Sequence, residues 1–474
     1  MPSLTKNIFW NSIRVGSNML FPLITFPYVA RVLGPEMKGE YDYVYAIVSY
    51  FILFANLGFP IYGIREISKN RDSRIELSKA ASGIFSANLI SASIVLVLFA
   101  AFCLFMPNNE RLLFAIVGSS ILFSCIQFDW FYQGVEDFKY ITLRSIFIKS
   151  LCLIALFSLV HSKNDLLIYA AISVVGEFGN NIFNLLRIGK YADLKFSLEN
   201  CWKHTKGAST LFLGTIAVSL YTQLNTVMLG ALDTKESVAF FTTGNKMVQL
   251  VLTVINAMLS TIIPRISYQI GTGHNEEGRQ LQYKVLSYTL YVCIPLSIWL
   301  FFFAGNIITL LAGDQFLPSI QVLKILSPLL IIIPLSGFLG LQVLYPVRKE
   351  VYGNYATIAG AITNIVVNMI LIKAYSYIGI AIAVVLSEFV VTAVHYYYSR
   401  RYLELPILRF LPPKSLLASL VMIAYLLFSN IVIPNHGILF FIVQSFMSVL
   451  IYIGVLKILK DNLLNELITK VIRK

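Results

Sequence analysis

Charge is scarce in this sequence. Only 13% of its 474 residues are Asp, Glu, Lys or Arg, against 57% hydrophobic, and the mean hydropathy is +0.75. A soluble domain is about 25% charged, because its surface has to be hydrated. The shortfall excludes an ordinary soluble enzyme and a disordered chain, and points to a polytopic membrane protein. Cysteine is also sparse. The five residues Cys103, Cys125, Cys152, Cys201 and Cys293 form no CxxC pair and have no histidine at zinc-ligand spacing, which excludes a disulfide scaffold. They read as small apolar residues inside helices. The five histidines are scattered, and there is no GxxxxGK[ST] loop, no GxSxG elbow and no HExxH pair. The long soluble insertion of a membrane glycosyltransferase is missing too. Enzyme is therefore the losing class and transporter the leading one, with no catalytic residue, metal or cofactor expected.

What the chain does have is long apolar runs. A helix needs about 20 mostly apolar residues to cross a bilayer. On that rule fourteen spans are expected, near 7–32, 40–64, 81–106, 112–133, 142–161, 166–189, 208–231, 237–262, 284–311, 320–345, 353–375, 377–399, 414–433 and 437–458. The first run already has spanning length and lacks a small-residue cleavage site, so it reads as helix 1 rather than a signal peptide. The tightest separators are Tyr375-Ser376-Tyr377 and Pro434-Asn435-His436. The net charge of +13 would suggest nucleic acid in a soluble protein, but in a membrane protein it sets orientation. With the N-terminus inside, 27 of the 37 Lys and Arg residues fall in inner segments and six in outer ones. The inner set includes Arg65, Lys69, Arg71, Arg74 and Lys79, and further on Arg409, Lys470, Arg473 and Lys474. Missing one span would invert every later loop and scramble the bias. Both termini are therefore expected on the cytoplasmic side.

Spans 1–6 cover residues 7–189, in a first lobe of residues 1–189, and spans 7–12 cover 208–399, separated by the longest basic loop, 190–207. Val32-Leu33-Gly34 before Lys38-Gly39-Glu40 is echoed by Met228-Leu229-Gly230 before Lys235-Glu236. Two parallel repeats follow, each with an even number of spans. Residues 400–474 carry an appended helix pair and a tail.

A charge deep in a span is costly unless it is paired or wet, which makes each one a functional candidate. Arg14 lies about 10 Å into span 1 at 1.5 Å per residue, Lys149 at similar depth in span 5, and Lys246 in span 8 nearer the outer side. Glu177 and Glu388 lie near the middles of spans 6 and 12, and Asp129 near the inner end of span 4. Snorkelling to the nearer interface is the competing account of the cations. A water-filled cationic cavity is the sharper one, because Asn11, Ser12, Ser17 and Asn18 accompany Arg14, and Ser219, Thr222, Gln223, Asn225 and Thr226 line span 7. Helix–helix packing of small polar residues is the alternative for those faces. Glu177 is placed to pair with Lys149. Glu388 has the position of a coupling acid or of a neutral buried one. Pro22, Pro27, Gly58, Pro60, Pro295, Pro328 and Pro334 mark kinks or hinges.

Three motifs make the sequence recognisable. Pro27-Tyr28-Val29-Ala30-Arg31-Val32-Leu33-Gly34-Pro35-Glu36, followed by Gly39-Glu40-Tyr41, resembles the N-terminal signature of bacterial polysaccharide exporters. Tyr62-Gly63-Ile64-Arg65-Glu66, running to Asp72, is similar to the segment that closes span 2 in that family. Asp129-Trp130-Phe131-Tyr132-Gln133-Gly134-Val135-Glu136 is similar to the one that closes span 4. Together these cover about the first 140 residues. The family is the Wzx-type oligosaccharide flippases of the multidrug/oligosaccharidyl-lipid/polysaccharide exporter superfamily. The resemblance implies an all-α, two-lobed bundle around a central cavity in the bacterial cytoplasmic membrane. It implies a cargo of undecaprenyl-pyrophosphate-linked oligosaccharide, moved from the inner to the outer leaflet for O-antigen, lipopolysaccharide or other surface polysaccharide assembly. A polysaccharide polymerase and a chain-length regulator are the implied partners, with membrane lipid and without nucleic acid. Arg14 and Lys246 are then the first candidates for the pyrophosphate, followed by Lys149, Asn18, Gln223 and Asn225. Fourteen spans rather than twelve are similar to the lipid II flippases, which stay open as an alternative. So does a drug/cation antiporter of the same superfamily, although that would favour an acidic cavity.

Overall fold

The computed structural model describes residues 4–403, 412–432, 437–461 and 463–466, and within these the chain is α-helical with no strand. The separator Pro434-Asn435-His436, the loop cations Arg409, Lys470, Arg473 and Lys474, and the side chain of Ser219 lie outside the described residues. The chain divides into two compact units, Met1–Ala239 and Phe240–Lys474.

The first unit begins with α1 (Leu4–Asn56), which is two helices joined at Gly34, where φ is +71° and ψ is 178°. That left-handed φ is cheap only for glycine. Packing shows that the chain reverses there. The first half of α1 runs alongside α6 (Phe138–Leu159) in the same direction, with the Thr142 hydroxyl donating to the Trp10 carbonyl (2.9 Å) and the Tyr28 hydroxyl to the Val160 carbonyl (2.6 Å). The second half runs with α7 (Leu166–Phe178), through Tyr41 on Tyr169 and Tyr45 on Glu177. Helices α6 and α7 are antiparallel, with Gly176 against Cys152. The two halves of α1 must therefore be antiparallel as well, which makes them spans 1 and 2.

A second left-handed break at Leu57-Gly58 leads into α2 (Phe59–Asn70). Then α3 (Arg74–Leu104) packs antiparallel on α4 (Asn108–Cys125), with Phe99 over Gly118 and Phe102 against Phe114. A short helix, α5 (Asp129–Gly134), ends span 4 as a separate turn, and α8 (Asn180–Arg187) completes span 6 after Gly179. Helix α9 (Cys201–Leu232) lies antiparallel to span 2 along its whole length. The contacts run from Gly39 against Lys235, through Gly230 under Tyr43, to Gly58 on Ala208 and Gly207 under Tyr62. At each of these glycines a Cβ would stand under 3 Å from its neighbour, which is how the helices come so close.

The next helix, α10 (Lys235–Ser260), is followed by α11 (Ile263–Gly271), α12 (Asn275–Phe302) and α13 (Ala304–Leu311). Span 10 is a broken element. Helices α14 (Ser319–Leu326) and α15 (Leu329–Gly337) meet at Pro328 with a bend of 40°, and α15 runs on into a π-helical turn. By contrast α1 continues through Pro22 and Pro27, and α12 through Pro295. Helix α16 (Val351–Ser399) hides a second reversal at Ser376 (φ +53°). Gly379 lies against Leu371, Asn364 bonds Ser387, Gly360 meets Val391 and Tyr352 stacks on Tyr398 at 4.2 Å, as in an antiparallel hairpin. The appended pair, α17 (Pro413–Val432) and α18 (Ile438–Ile458), packs on α12, where the Tyr452 hydroxyl donates to the Tyr291 carbonyl.

Among the described residues, ten helices are long and apolar enough to cross a membrane, or eleven with the bent pair. Two of those ten, Thr5–Asn70 and Val351–Ser399, each contain a reversal. With the bent pair these make thirteen, and α9, which is not among the ten, occupies the segment expected at 208–231, so each of the fourteen expected spans lies on a helix.

Candidate functional site

Unit 1 holds a cavity of about 250 Å³ between the first half of α1, α6 and α7. Phe21, Pro22 and Thr25 wall it on one side, Cys152, Leu153 and Leu156 on the second, Tyr169, Ile172 and Ser173 on the third. Into this mostly apolar space project Lys149 and Glu177. The Lys149 ammonium donates to the Asn18 side-chain oxygen and sits 5.7 Å from the centre of the Phe21 ring. Glu177 accepts from the Tyr45 hydroxyl at 2.9 and 3.0 Å. The acid and base thus share a cavity while each has a different first partner. Arg14, one turn before Asn18, donates to Asn11 at 3.0 Å and lies within electrostatic range of Lys149, as do Glu177 and Asp129. Asn18 and Glu177 are exposed on the face of the unit although both lie well inside apolar helices.

A second cavity of about 360 Å³ lies between span 2 and α9. Ser49, Tyr50 and Asn56 meet Thr222 and Gln223 across it. Asn225 and Thr226, on the same polar stretch, are instead buried at 4% and 7% exposure. In unit 2, Lys246 and Glu388 are half-buried on α10 and α16, and the Glu388 carbonyl accepts from Thr392.

Asp129 belongs to a different assembly. It accepts from Arg144 at 2.7 Å and from Asn184 at 2.9 Å, with the Arg144 side chain only 5% exposed. This cross-link ties the end of span 4, the start of span 5 and the end of span 6. Nearby, Asp137 holds both Arg187 (3.0 Å) and Tyr191 (2.7 Å), and burial raises the Tyr191 phenol above its usual range. Arg144 counts among the inner-segment cations of the sequence, and nothing in its neighbours there signals that it is buried against Asp129.

The three motifs form close packing rather than a lined cavity. Tyr28 anchors span 1 to span 5, Gly34 makes the reversal, Gly39 admits the start of α10 at Lys235, and Tyr41 stacks on Tyr45 and meets Tyr169 edge-on. Arg31, four residues after Pro27, is exposed. The second and third motifs pack on each other. Gly63 lies under the Trp130 indole, Gly134 under Ile67, and Arg71 donates to Glu136 at 2.6 Å, which also accepts from Asn7. Arg65 lies over the Tyr62 ring and beside Glu66. The signal missed in the sequence was Tyr45 as partner of Glu177. Only the parallel packing of span 2 on span 6 brings together residues so far apart in the chain.

Comparison with known proteins matches this architecture. The family described as "Polysaccharide biosynthesis protein" matches residues 4–269, and a MatE family matches 211–370. The "Putative O-antigen transporter" of Escherichia coli (strain K12) is 26% identical over 396 residues, covering 82% of this chain and 95% of its own. The "Capsular polysaccharide biosynthesis protein CapF" of Staphylococcus aureus is 24% identical, covering 79% of this chain and 93% of its own. Among solved structures, "Lipid II flippase MurJ, inward closed conformation" superposes with a TM-score of 0.80 at 16% identity, over 96% of this chain and 99% of that one. An inward-facing multidrug resistance MATE transporter gives 0.64 at 13% identity, over 82% and 95%. The helical bundle, its many apolar helices and the family match over more than half its length agree: this chain is a multi-pass membrane protein of the polysaccharide biosynthesis protein family, within the multidrug/oligosaccharidyl-lipid/polysaccharide exporter superfamily.

Proposed function

We propose that the protein flips undecaprenyl-pyrophosphate-linked oligosaccharide repeat units from the inner to the outer leaflet of the bacterial cytoplasmic membrane, for O-antigen or other surface polysaccharide assembly. The observation that carries this reading is the Asn18–Lys149–Glu177 face. Asn18 and Glu177 stay exposed and Lys149 half-buried at mid-depth on apolar helices, and such groups cannot face hydrocarbon without a cost of several kcal/mol, about 3 kcal/mol for a central Lys. They suit a wet, polar path instead. Lys149, with Arg14 two helical turns nearer the N-terminus than Phe21, supplies cations for a pyrophosphate, which low dielectric makes strongly attractive. Asn18, Gln223 and Thr222 offer hydrogen bonds to sugar hydroxyls. The prenyl tail stays in lipid throughout. Lys246 carries the same role in the second lobe, residues 208–399, which pairs with 1–189 as a parallel repeat. Glu177 and Glu388 are candidates for a coupling proton. No nucleotide is needed in this reading, since a proton or sodium gradient, or consumption of the flipped product, would supply direction. A surface-polysaccharide polymerase and a chain-length regulator are its partners downstream. Both termini and the 190–207 loop lie in the cytoplasm.

The test is a deletion strain complemented with variants, with surface polysaccharide read on blots and membrane levels checked. Arg14→Gln and Lys246→Gln are expected to lose export while inserting normally, and Arg14→Lys to keep part of it if a point charge suffices. Normal export by both Gln variants would remove them from the head-group path and leave Lys149. A second reading, lipid II as cargo, is favoured by the fourteen-span count. The lipid-linked saccharide that accumulates in the inner leaflet of the deletion strain separates the two.

A further inference from the structure

Residues 192–198 form an extended run laid along α3. Its backbone N–H groups at Asp193, Lys195 and Ser197 donate in turn to the hydroxyls of Ser78 (2.9 Å), Ser82 (3.0 Å) and Ser86 (2.9 Å). The match is geometric. Two extended residues advance about 6.6 Å and four helical residues about 6.0 Å, so three rungs stay in register. Asn200, at φ +66°, then turns the chain into α9. The clamp leaves large apolar side chains facing outward: Leu198 is 68% exposed and Trp202 79%. Beside them opens a cleft of about 650 Å³ between span 2, α3 and the start of α9, lined by Phe54, Leu57, Ile90, Ile94 and Leu98 with Trp202 at its end. Ile90, Ile94 and Leu98 repeat every four residues and give one apolar face running along α3. At the Trp202 end stand the exposed cations Lys195, Lys203 and Lys206. Of the nearby acids, Asp193 is taken by Arg74 at 3.0 Å, and Glu199 is exposed.

We propose that this cleft holds an acyl chain of an anionic phospholipid from the surrounding bilayer, with its phosphate held by Lys203 and Lys206 and with Trp202 at the head-group boundary. An apolar slot, an indole at its mouth and lysines around it match the layers of a lipid in order. None of the cleft-lining residues lines the Lys149–Glu177 cavity, and the occupant proposed is a bilayer phospholipid, with a prenyl chain of the transported molecule as the outcome that the test separates.

The experiment uses the full-length protein in liposomes of phosphatidylcholine and phosphatidylglycerol, with bromine on the acyl chains of one lipid or the other. The Trp202 signal is the difference between wild type and Trp202→Phe. At low salt, brominated phosphatidylglycerol is expected to quench it more than brominated phosphatidylcholine at the same mole fraction, reaching half-maximal quenching at a mole fraction lower by about fivefold per lysine. Lys203→Gln with Lys206→Gln, or high salt, is expected to make the two equal. Equal quenching in wild type, or no quenching, overturns the proposal. So does displacement of brominated phosphatidylglycerol by undecaprenyl phosphate, which would give the cleft to a prenyl chain. Phospholipid retained through purification gives the same contrast between wild type and the lysine variant without altering Trp202. No readout involves transport, so this inference and the flippase reading fail separately.

Discussion

At the scale of single residues, glycines decide how closely helices approach. A Cβ on Gly63 would stand 2.4 Å from the Trp130 ring, closer than real contacts allow, and Trp130 is buried on all sides. Gly63→Ala is therefore expected to destabilise the protein by about 1–3 kcal/mol, the usual cost of overpacking, seen as a lower melting temperature in detergent. His204 makes a pH prediction. It lies ahead of the apolar run of α9, is buried, and bonds Tyr62 at 2.9 Å. Burial, and then the neighbouring Lys203, lower its pKa below 6.5 in the folded protein. The unfolded chain then binds the proton more readily, so acid favours unfolding. Stability is full above the ordinary histidine pKa and is lost as pH falls through and below it. Melting temperatures between pH 7 and pH 5 should drop, and the drop should shrink in His204→Gln. The deep charges were legible as candidates because a lone Lys or Glu in an apolar run is conspicuous. Their partners were not: Asn18 for Lys149 and Tyr45 for Glu177 come from other helices at more than a hundred residues' separation.

Among elements, what could be read from hydropathy was which segments are helices and where the chain turns. The separator at Tyr375-Ser376-Tyr377 is a hairpin whose two helices are in contact from Leu371 against Gly379 back to Tyr352 on Tyr398. Its corner residue, Ser376, has φ +53°, a region where glycine is at ease and β-branched residues are strained. Ser376→Gly is expected to keep or slightly raise the melting temperature, and Ser376→Val to lower it by about 1–3 kcal/mol of stability. Breaks inside spans were less legible. Pro328 bends span 10 by 40°, whereas Pro22, Pro27 and Pro295 leave their helices continuous. A proline removes one hydrogen bond, but only the surrounding packing decides whether the helix then bends. The serine rungs on α3 were present as Ser78, Ser82 and Ser86, four apart, but nothing local said that a loop would lie on them.

For the whole molecule, the expected arrangement is both termini and the loop 190–207 on the cytoplasmic side. The uneven spread of Lys and Arg supports it, and the alternating helix directions from span 1 to span 7 agree with an unbroken series of crossings. Reporter fusions after Lys206 and Lys474 should be active only as cytoplasmic fusions; activity of an external reporter at either site would reverse the assignment. The packing of the second motif on the third has a consequence on another timescale, that of descent. Gly63 with Trp130, Ile67 with Gly134, and Arg71 with Glu136 are three facing pairs at nearly constant separation along the chain. A mutation on either side changes what its opposite number can be. In related lineages these pairs should have drifted together, a larger residue at one position appearing with a smaller one across from it and a charge reversal with its mirror, so that two stretches of gene more than sixty codons apart inherit as one unit of selection.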